Sequence, residues 1–357
     1  MSSLSSSSSQ ISLPRKRFRN ILGSDLLVDF FYAALYSNNV EYLCDPFPKE
    51  FLMENNEENS PNLRYRKKNL KDIRRVKSTL DGMGKINKIE NPEDNTLLNW
   101  IINSEIQLKR VSKVIIENEE VISGGDSIDD LSRSNSSFNL NKSSVFISTE
   151  SLDMENHELY NYVPTYIFKV NYINNNNDPN AKLPRCIQHN IEFEKLKKEY
   201  GSFYGYHGSA FENFHSILHY GLQTNLNKRD VYGKGIYTSV DLSVCFNFSK
   251  SHLGRGKKSL VGKGNPITVI ALCEIIKHPD IMDKQTNDSA LFDELPPDQY
   301  FVIKNNAHIR VTHLLVYANK KSNVEIPQNK IITFIHDHFL IIIFVLYFLL
   351  MYYLGNR

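Results

Sequence analysis

The sequence predicts an α+β protein: a small all-helical domain, then a strand-rich domain, then a C-terminal transmembrane helix. Three observations carry this. Apolar residues recur at helical spacing in two segments of the first hundred or so residues. Beyond Tyr162 the pattern becomes that of strands separated by short helices. Near the end, Phe339 to Leu354 reads FLIIIFVLYFLLMYYL, sixteen apolar residues without a charge.

The chain has 357 residues, 41% hydrophobic and 23% charged, with a formal net charge of +2. That is a globular balance with room for two domains, and it excludes wholesale disorder and collagen-like structure. Near-neutral charge removes the simplest case for a nucleic-acid binder, because phosphate affinity scales with the number of cationic contacts. The four cysteines (Cys44, Cys186, Cys245 and Cys273) have no C-x-x-C spacing, and the eleven histidines form no H-E-x-x-H pattern. A reducing compartment and no metal site are expected.

Residues 1–18 are serine-rich and then basic, too poor in apolar groups to offset chain entropy, and are expected to be disordered and to hold no signal peptide. Residues 19–116 read as a helical, regulatory domain. Ser24 would cap a first helix carrying Leu26, Leu27, Phe30, Phe31 and Ala34; Pro46 and Pro48 break the chain after it. A second helix is expected from Asn91-Pro92-Glu93, with Leu97, Leu98, Ile101 and Ile102 around Trp100. The basic run Arg64, Arg66, Lys67, Lys68, Lys71, Arg74, Arg75 and Lys77 has two readings: a solvated helix face, or contact with an anionic membrane surface or acidic partner. Residues 117–160 are rich in serine, asparagine and acid, and read as a linker or insertion.

Residues 161–322 form the α+β domain, with strands expected at 166–172, 202–206, 267–274, 300–303 and 313–317. Within it, Tyr204-Gly205-Tyr206-His207-Gly208-Ser209 brings a strand to a helix start. Ser209 and Glu212 have capping-box spacing, and Phe211, Phe214, Ile217 and Leu218 give the helix a buried stripe up to Gly221. A helix start with a residue lacking Cβ admits a ligand closely. On these grounds His207 is either a ligand contact or a buried structural histidine. Gly233-Lys234-Gly235-Ile236-Tyr237 repeats the pattern of a tight turn before an aromatic residue. The basic loop Gly254 to Ser259 lacks the spacing of a nucleotide-triphosphate loop, since Ser251 stands where the first glycine is needed. It reads as solvated or near an acceptor.

Together HGS, GKGIY, a helix over 241–249 and PPDQYFVIKNN…HLLVYA, in this order and spacing, resemble the catalytic domain of the poly(ADP-ribose) polymerase family. Within the family the layout is most similar to a tail-anchored mono-ADP-ribosyltransferase of the endoplasmic reticulum, with residues 117–160 holding an insertion. The resemblance implies an ADP-ribosyltransferase fold and NAD as co-substrate. His207 would hold the adenosine ribose, Gly208 the nicotinamide carboxamide with Ser209 beside it, and Tyr237 would stack on the nicotinamide ring. Phe248 stands where a second stacking tyrosine is usual, and Cys245 where some members carry a carboxamide-binding serine. Lys228 and Arg229 would lie near the pyrophosphate, and Tyr300 would occupy the position of the chain-elongating glutamate.

Nicotinamide departs from the ribose through an oxocarbenium-like transition state, so such a site works by positioning and by polarisation in a dry cleft. A tyrosine at the glutamate position is neutral at pH 7 and a poor base, which implies transfer of single ADP-ribose units to protein acceptors, the chain itself included, with no nucleic-acid partner. The rival expectation is a catalytically weak NAD-binding scaffold tethered to a membrane. Residues 331–354 are expected to be that tether, a tail anchor in the endoplasmic reticulum membrane or nuclear envelope. Lys320, Lys321 and Lys330 outnumber Arg357 across it, placing the catalytic domain in the cytosol.

Overall fold

The computed structural model describes residues 20–40, 46–51, 70–89, 95–116, 145–148, 163–174, 184–226, 233–282 and 300–318. The three N-terminal helices are α1 (Ile21–Tyr36), α2 (Leu70–Gly82) and α3 (Thr96–Ile102). They precede the strands β1 (Ile106–Val111), β2 (Lys113–Ile116), β3 (Val145–Ser148) and β4 (Tyr166–Tyr172). Then follow α4 (Arg185–Tyr200), β5 (Ser202–Gly208), α5 (Phe214–Tyr220), β6 (Ile236–Ser239), α6 (Leu242–Phe246), β7 (Thr268–Ile276), α7 (Pro279–Met282), β8 (Tyr300–Ile303) and β9 (Ile309–Tyr317).

Seven strands form one antiparallel sheet in the order β1-β4-β9-β7-β5-β6-β8, and β2 and β3 make a separate antiparallel pair. Alternation decides which residues meet which layer. Phe203, Val269, Ala271, Cys273, Leu314 and Val316 face the three N-terminal helices and α5 in one continuous core. Ile270, Leu272 and Leu315 face the other way, toward α6 and the β2–β3 pair, joining Val114, Ile147 and Phe246. The first expected helix exists, but it starts at Ile21, so Ser24 lies inside it. The Asn20 side-chain amide instead donates to the Leu108 carbonyl, tying the helix start to β1.

Several expectations are corrected. Residues 19–116 are not all helical: β1 pairs with β4 at the edge of the main sheet, and β2 pairs with β3, which lies in the expected linker. Helix α3 is capped by Asn95, whose side chain accepts the Leu98 N–H at 2.9 Å; it does not begin at Pro92. The Ser209–Glu212 capping box does not form. Ser209 Oγ accepts from the Asn213 side chain at 2.9 Å, and the chain enters α5 through a 3-10 turn over Phe211–Asn213. In α2, Ile73, Val76 and Leu80 are buried while Arg74 and Arg75 face solvent, as both readings of the basic run require; residues 64–68 lie outside the described residues. No helix among the described residues is long and apolar enough to cross a membrane, and the expected span at 331–354 lies outside them.

The helices are not a detachable unit. Phe30 of α1 packs on Phe211 and Phe214, with ring centroids 4.8 and 5.3 Å away, and Phe31 meets His215 edge-on at 5.0 Å. His215 Nε2 donates to the Pro46 carbonyl at 2.9 Å. The loop after α6 supplies Arg255, whose side chain is 1% exposed and not solvated as the sequence suggested. Its Nε donates to Asp29 Oδ1 at 2.9 Å, its backbone N–H to the same oxygen at 3.1 Å, and its remaining fork to Asp25 and to the Gly84 carbonyl. Asp25 also accepts the Leu260 N–H at 2.6 Å. Gly254 sits against the Asp29 carboxylate at φ +54°, where a Cβ would lie 2.8 Å from its carbon, so both backbone conformation and space require glycine.

Candidate active site

Strand β5 delivers Tyr206, His207 and Gly208 at its C-terminal end. It shares one register pair with β6, Tyr206 with Ser239; beyond that, His207 and Gly208 pair only with β7. The sheet therefore parts between β5 and β6, leaving the end of β5 beside the start of β6. Across this parting His207 Nδ1 lies 2.8 Å from the Tyr237 carbonyl oxygen. A carbonyl only accepts, so Nδ1 carries the proton and Nε2 is left as an acceptor. Burial pushes the imidazole below its ordinary value, with the carbonyl bond partly offsetting that, so the ring is neutral at pH 7.

Tyr237 is held from both ends. Its backbone pairs with Val302 of β8, and its phenol donates to the Gly233 carbonyl at 2.8 Å, which locks the ring across the Gly233–Gly235 turn. Gly235 is required there, because a Cβ would lie 2.6 Å from Val302 and 3.0 Å from the Ile303 carbonyl. Tyr300 pairs with Ser239, two positions along the same ladder, so Tyr237 and Tyr300 share one face of the sheet.

Helix α6 closes the other side. Asp241 caps it by accepting the Ser243 N–H at 2.8 Å, and it spans five residues, shorter than the expected 241–249. A Cβ on Gly208 would fall on the Cys245 carbonyl oxygen and 3.0 Å from Ser249 Oγ, so glycine is what lets β5 and α6 meet. Cys245 is buried, and burial pushes its thiol up to about 12; it is a packed thiol and not a thiolate nucleophile. Phe248, 36% exposed, follows in the turn after α6.

Thus His207, Gly208, Tyr237, Cys245 and Phe248 gather around the parted strands, with Ser209 and Tyr300 at the margins. Lys228 and Arg229 lie outside the described residues. Sequence reasoning missed Ser249, which is buried and donates to the Cys245 carbonyl at 2.9 Å. It also missed Asn306, which accepts the Thr224 N–H at 2.8 Å and donates to the Gln223 side chain at 3.1 Å, anchoring the segment that leads into residues 227–232. Only the spacing from Cys245 to Ser249 could have marked the first, as an i, i+4 pair; nothing local marks the second. No cluster of three or more histidine, cysteine or acidic side chains placed to hold a metal occurs among the described residues.

A histidine is thus fixed to a tyrosine carbonyl across a parted antiparallel sheet, with a glycine following it. Residues 155–293 match the model of the poly(ADP-ribose) polymerase catalytic domain. Residues 18–102 match the ARTD15 N-terminal domain. Among individual proteins, the mouse protein mono-ADP-ribosyltransferase PARP16 is 35% identical over 203 residues, 53% of this chain and 56% of that protein. The human protein of the same name is 34% identical over the same shares. Mouse PARP8, also named a protein mono-ADP-ribosyltransferase, is 32% identical over 155 residues, 36% of this chain and 17% of its own length. The chain spans about half the length of the first two relatives it matches.

Proposed function

We propose that the protein is an NAD-dependent mono-ADP-ribosyltransferase that modifies proteins, itself included. The observation that carries this is the His207–Tyr237 bond beside Gly208, within a domain matching the polymerase catalytic domain; the relatives' names add the mono-transfer reading. NAD would supply the ADP-ribose and lose nicotinamide. His207 Nε2, an acceptor at neutral pH, would take a ribose hydroxyl proton in a hydrogen bond. The Gly208 backbone would orient the carboxamide with Ser209 beside it, and the faces of Tyr237 and Phe248 would clamp the nicotinamide ring. Lys228 and Arg229 would meet the pyrophosphate. Cys245 offers the carboxamide only a weak thiol partner.

Tyr300 occupies the position from which a carboxylate would activate an acceptor hydroxyl for elongation. A phenol there is neutral at pH 7, so chains do not grow. Incubating the full chain with adenylate-labelled NAD is expected to put label on protein, and mass spectrometry is expected to find one ADP-ribose per modified side chain. Ladders of ADP-ribose would overturn the mono-transfer reading. Saturable NAD binding without label or nicotinamide release would instead identify a tethered scaffold.

The proposal includes anchorage on the cytosolic side of the endoplasmic reticulum or the continuous nuclear envelope. It is supported by the uncharged run 339–354 and by Lys320, Lys321 and Lys330 on its upstream flank. The full chain is expected to stay with microsomes through a carbonate wash, with its catalytic domain digested by added protease. Extraction by carbonate, or protection from protease, would overturn this topology.

A further inference from the structure

We propose that the Asp25–Asp29–Phe30 edge of α1 positions both walls of the NAD site, with Arg255 as the positioning residue through which it acts. The inference rests on the proposed transferase function and adds to it a role for the N-terminal helices, none of whose residues is among the site residues named above.

Two chains of contact leave neighbouring residues of α1. Phe30 packs on Phe211 at 4.8 Å, and Phe211 lies three residues after Gly208, so this contact bears on the wall that carries His207, Gly208 and Ser209. Asp29 holds the Arg255 side chain and its backbone N–H through one oxygen, and Gly254 is pressed against the same carboxylate. The Gly254 N–H donates to His252 Nδ1 at 2.9 Å, and His252 is fixed by a two-way backbone bridge to Ile267. Lys250, two residues on from Phe248, accepts the Phe211 N–H at 3.1 Å. The second chain therefore reaches the wall that carries Phe248.

The chains close on each other. The His252 ring stacks on Phe211 at 5.7 Å with the planes 8° apart, so the two walls are joined at the point where α1 touches both. Every charged partner in this junction is buried: Asp25 and Asp29 at 0% and Arg255 at 1% side-chain exposure. A surface ion pair would adjust freely; a buried fork that donates to Asp29, Asp25 and the Gly84 carbonyl sets one arrangement. Asp29 Oδ2 is buried with no hydrogen-bond partner, so the site tolerates a polar deficit in order to keep Oδ1 on Arg255.

The experiment measures KM for NAD and kcat in the full chain, from label incorporation and nicotinamide release. KM does not depend on the fraction of protein that is folded, so a merely structural role leaves it unchanged. Arg255→Lys keeps a positive charge but loses the fork; it is expected to raise KM roughly tenfold while kcat changes by less than about twofold. Leu80→Ala, which hollows the buried face of α2 without removing a hydrogen-bond partner of Arg255, is expected to lower the melting temperature with KM unchanged. If Arg255→Lys does not fold, Asp29→Asn serves instead, with an expected rise of about threefold. An unchanged KM in the Arg255 or Asp29 variant, or an equal rise in Leu80→Ala, overturns the inference. A wild-type chain that neither binds nor turns over NAD overturns the functional reading and this inference with it. Saturable wild-type kinetics with an unmoved variant KM overturns the inference alone.

Discussion

His207→Ala is expected to lower ADP-ribose transfer at least about 100-fold, the scale on which loss of a preorganised polar contact shows in rate. The fold should survive, because the lost partner of the Tyr237 carbonyl costs only about 1 kcal/mol where water can replace it. Tyr237→Ala should lose as much activity for a different reason. It removes the aromatic face and, with the phenol, the bond to Gly233 that holds the turn. Tyr237→Phe separates the two, since it keeps the face and loses only that bond, and a drop of no more than about tenfold is expected. Label incorporation by folded His207→Ala protein at near the wild-type rate would remove His207 from the site.

Arg255→Met should be the most destabilising single change, about 3–5 kcal/mol in denaturant unfolding, because it strands two buried carboxylates. Adding Asp25→Asn and Asp29→Asn should restore part of the loss. If the triple variant were no more stable than Arg255→Met, buried charge would not be the cause. The same carboxylates give a pH signature. Burial, with Asp25 adding to it, pushes Asp29 up to about 6 from 3.8. The folded state therefore holds an extra proton between those values, and this contribution to stability is lost as pH rises through 6. Neutral buried His207 and His219 act the other way, losing stability as pH falls below 6.5, so the whole protein's profile mixes the two. The difference between Asp29→Asn and wild type isolates Asp29. It should move in favour of asparagine by on the order of 2–3 kcal/mol from about pH 4 to about pH 7.5. A flat difference would mean that Asp29 is not desolvated.

The central strands were legible because both of their faces are buried. Ile267–Glu274 and His313–Tyr317 read as apolar runs bounded by turn residues, and all but Ile267 lie in β7 and β9. At the sheet edge the signal fails. Residues Ile106 to Val111 bury only Ile106 and Leu108 and carry Lys109 and Arg110 in solvent, so nothing in IQLKRV separated them from the helices before them. Helix α4 also escaped notice, because only Cys186 and Phe193 of its sixteen residues are buried and no apolar stripe forms. In the candidate site, local turn chemistry marks Gly208 and Gly235 as tight positions and leaves His207 open between ligand contact and structural histidine; the role of Tyr237 comes from the family resemblance alone. Arg255 was not legible: glycines and lysines surround it as in a solvated loop, while its partners lie 226 and 230 positions earlier in the chain. A capping-box pattern at Ser209 misled in the opposite way, since Asn213 competes for the same hydroxyl.

That sequence separation has a consequence for biogenesis. Helix α1 leaves the ribosome well before Arg255, Leu260 and Val261, which neutralise or bond its carboxylates and are made more than two hundred residues later. At roughly 5–20 residues per second, about ten to fifty seconds pass between the two events. For most of that interval Phe30 and Phe31 lack Phe211, Phe214 and His215, and until its end the two aspartates are best left in water, so a nascent α1 is both sticky and unable to settle. Folding of the N-terminal helices is thereby coupled to completion of the domain that carries Arg255, an arrangement of long-range contacts that leaves apolar surface on the growing chain uncovered until it closes.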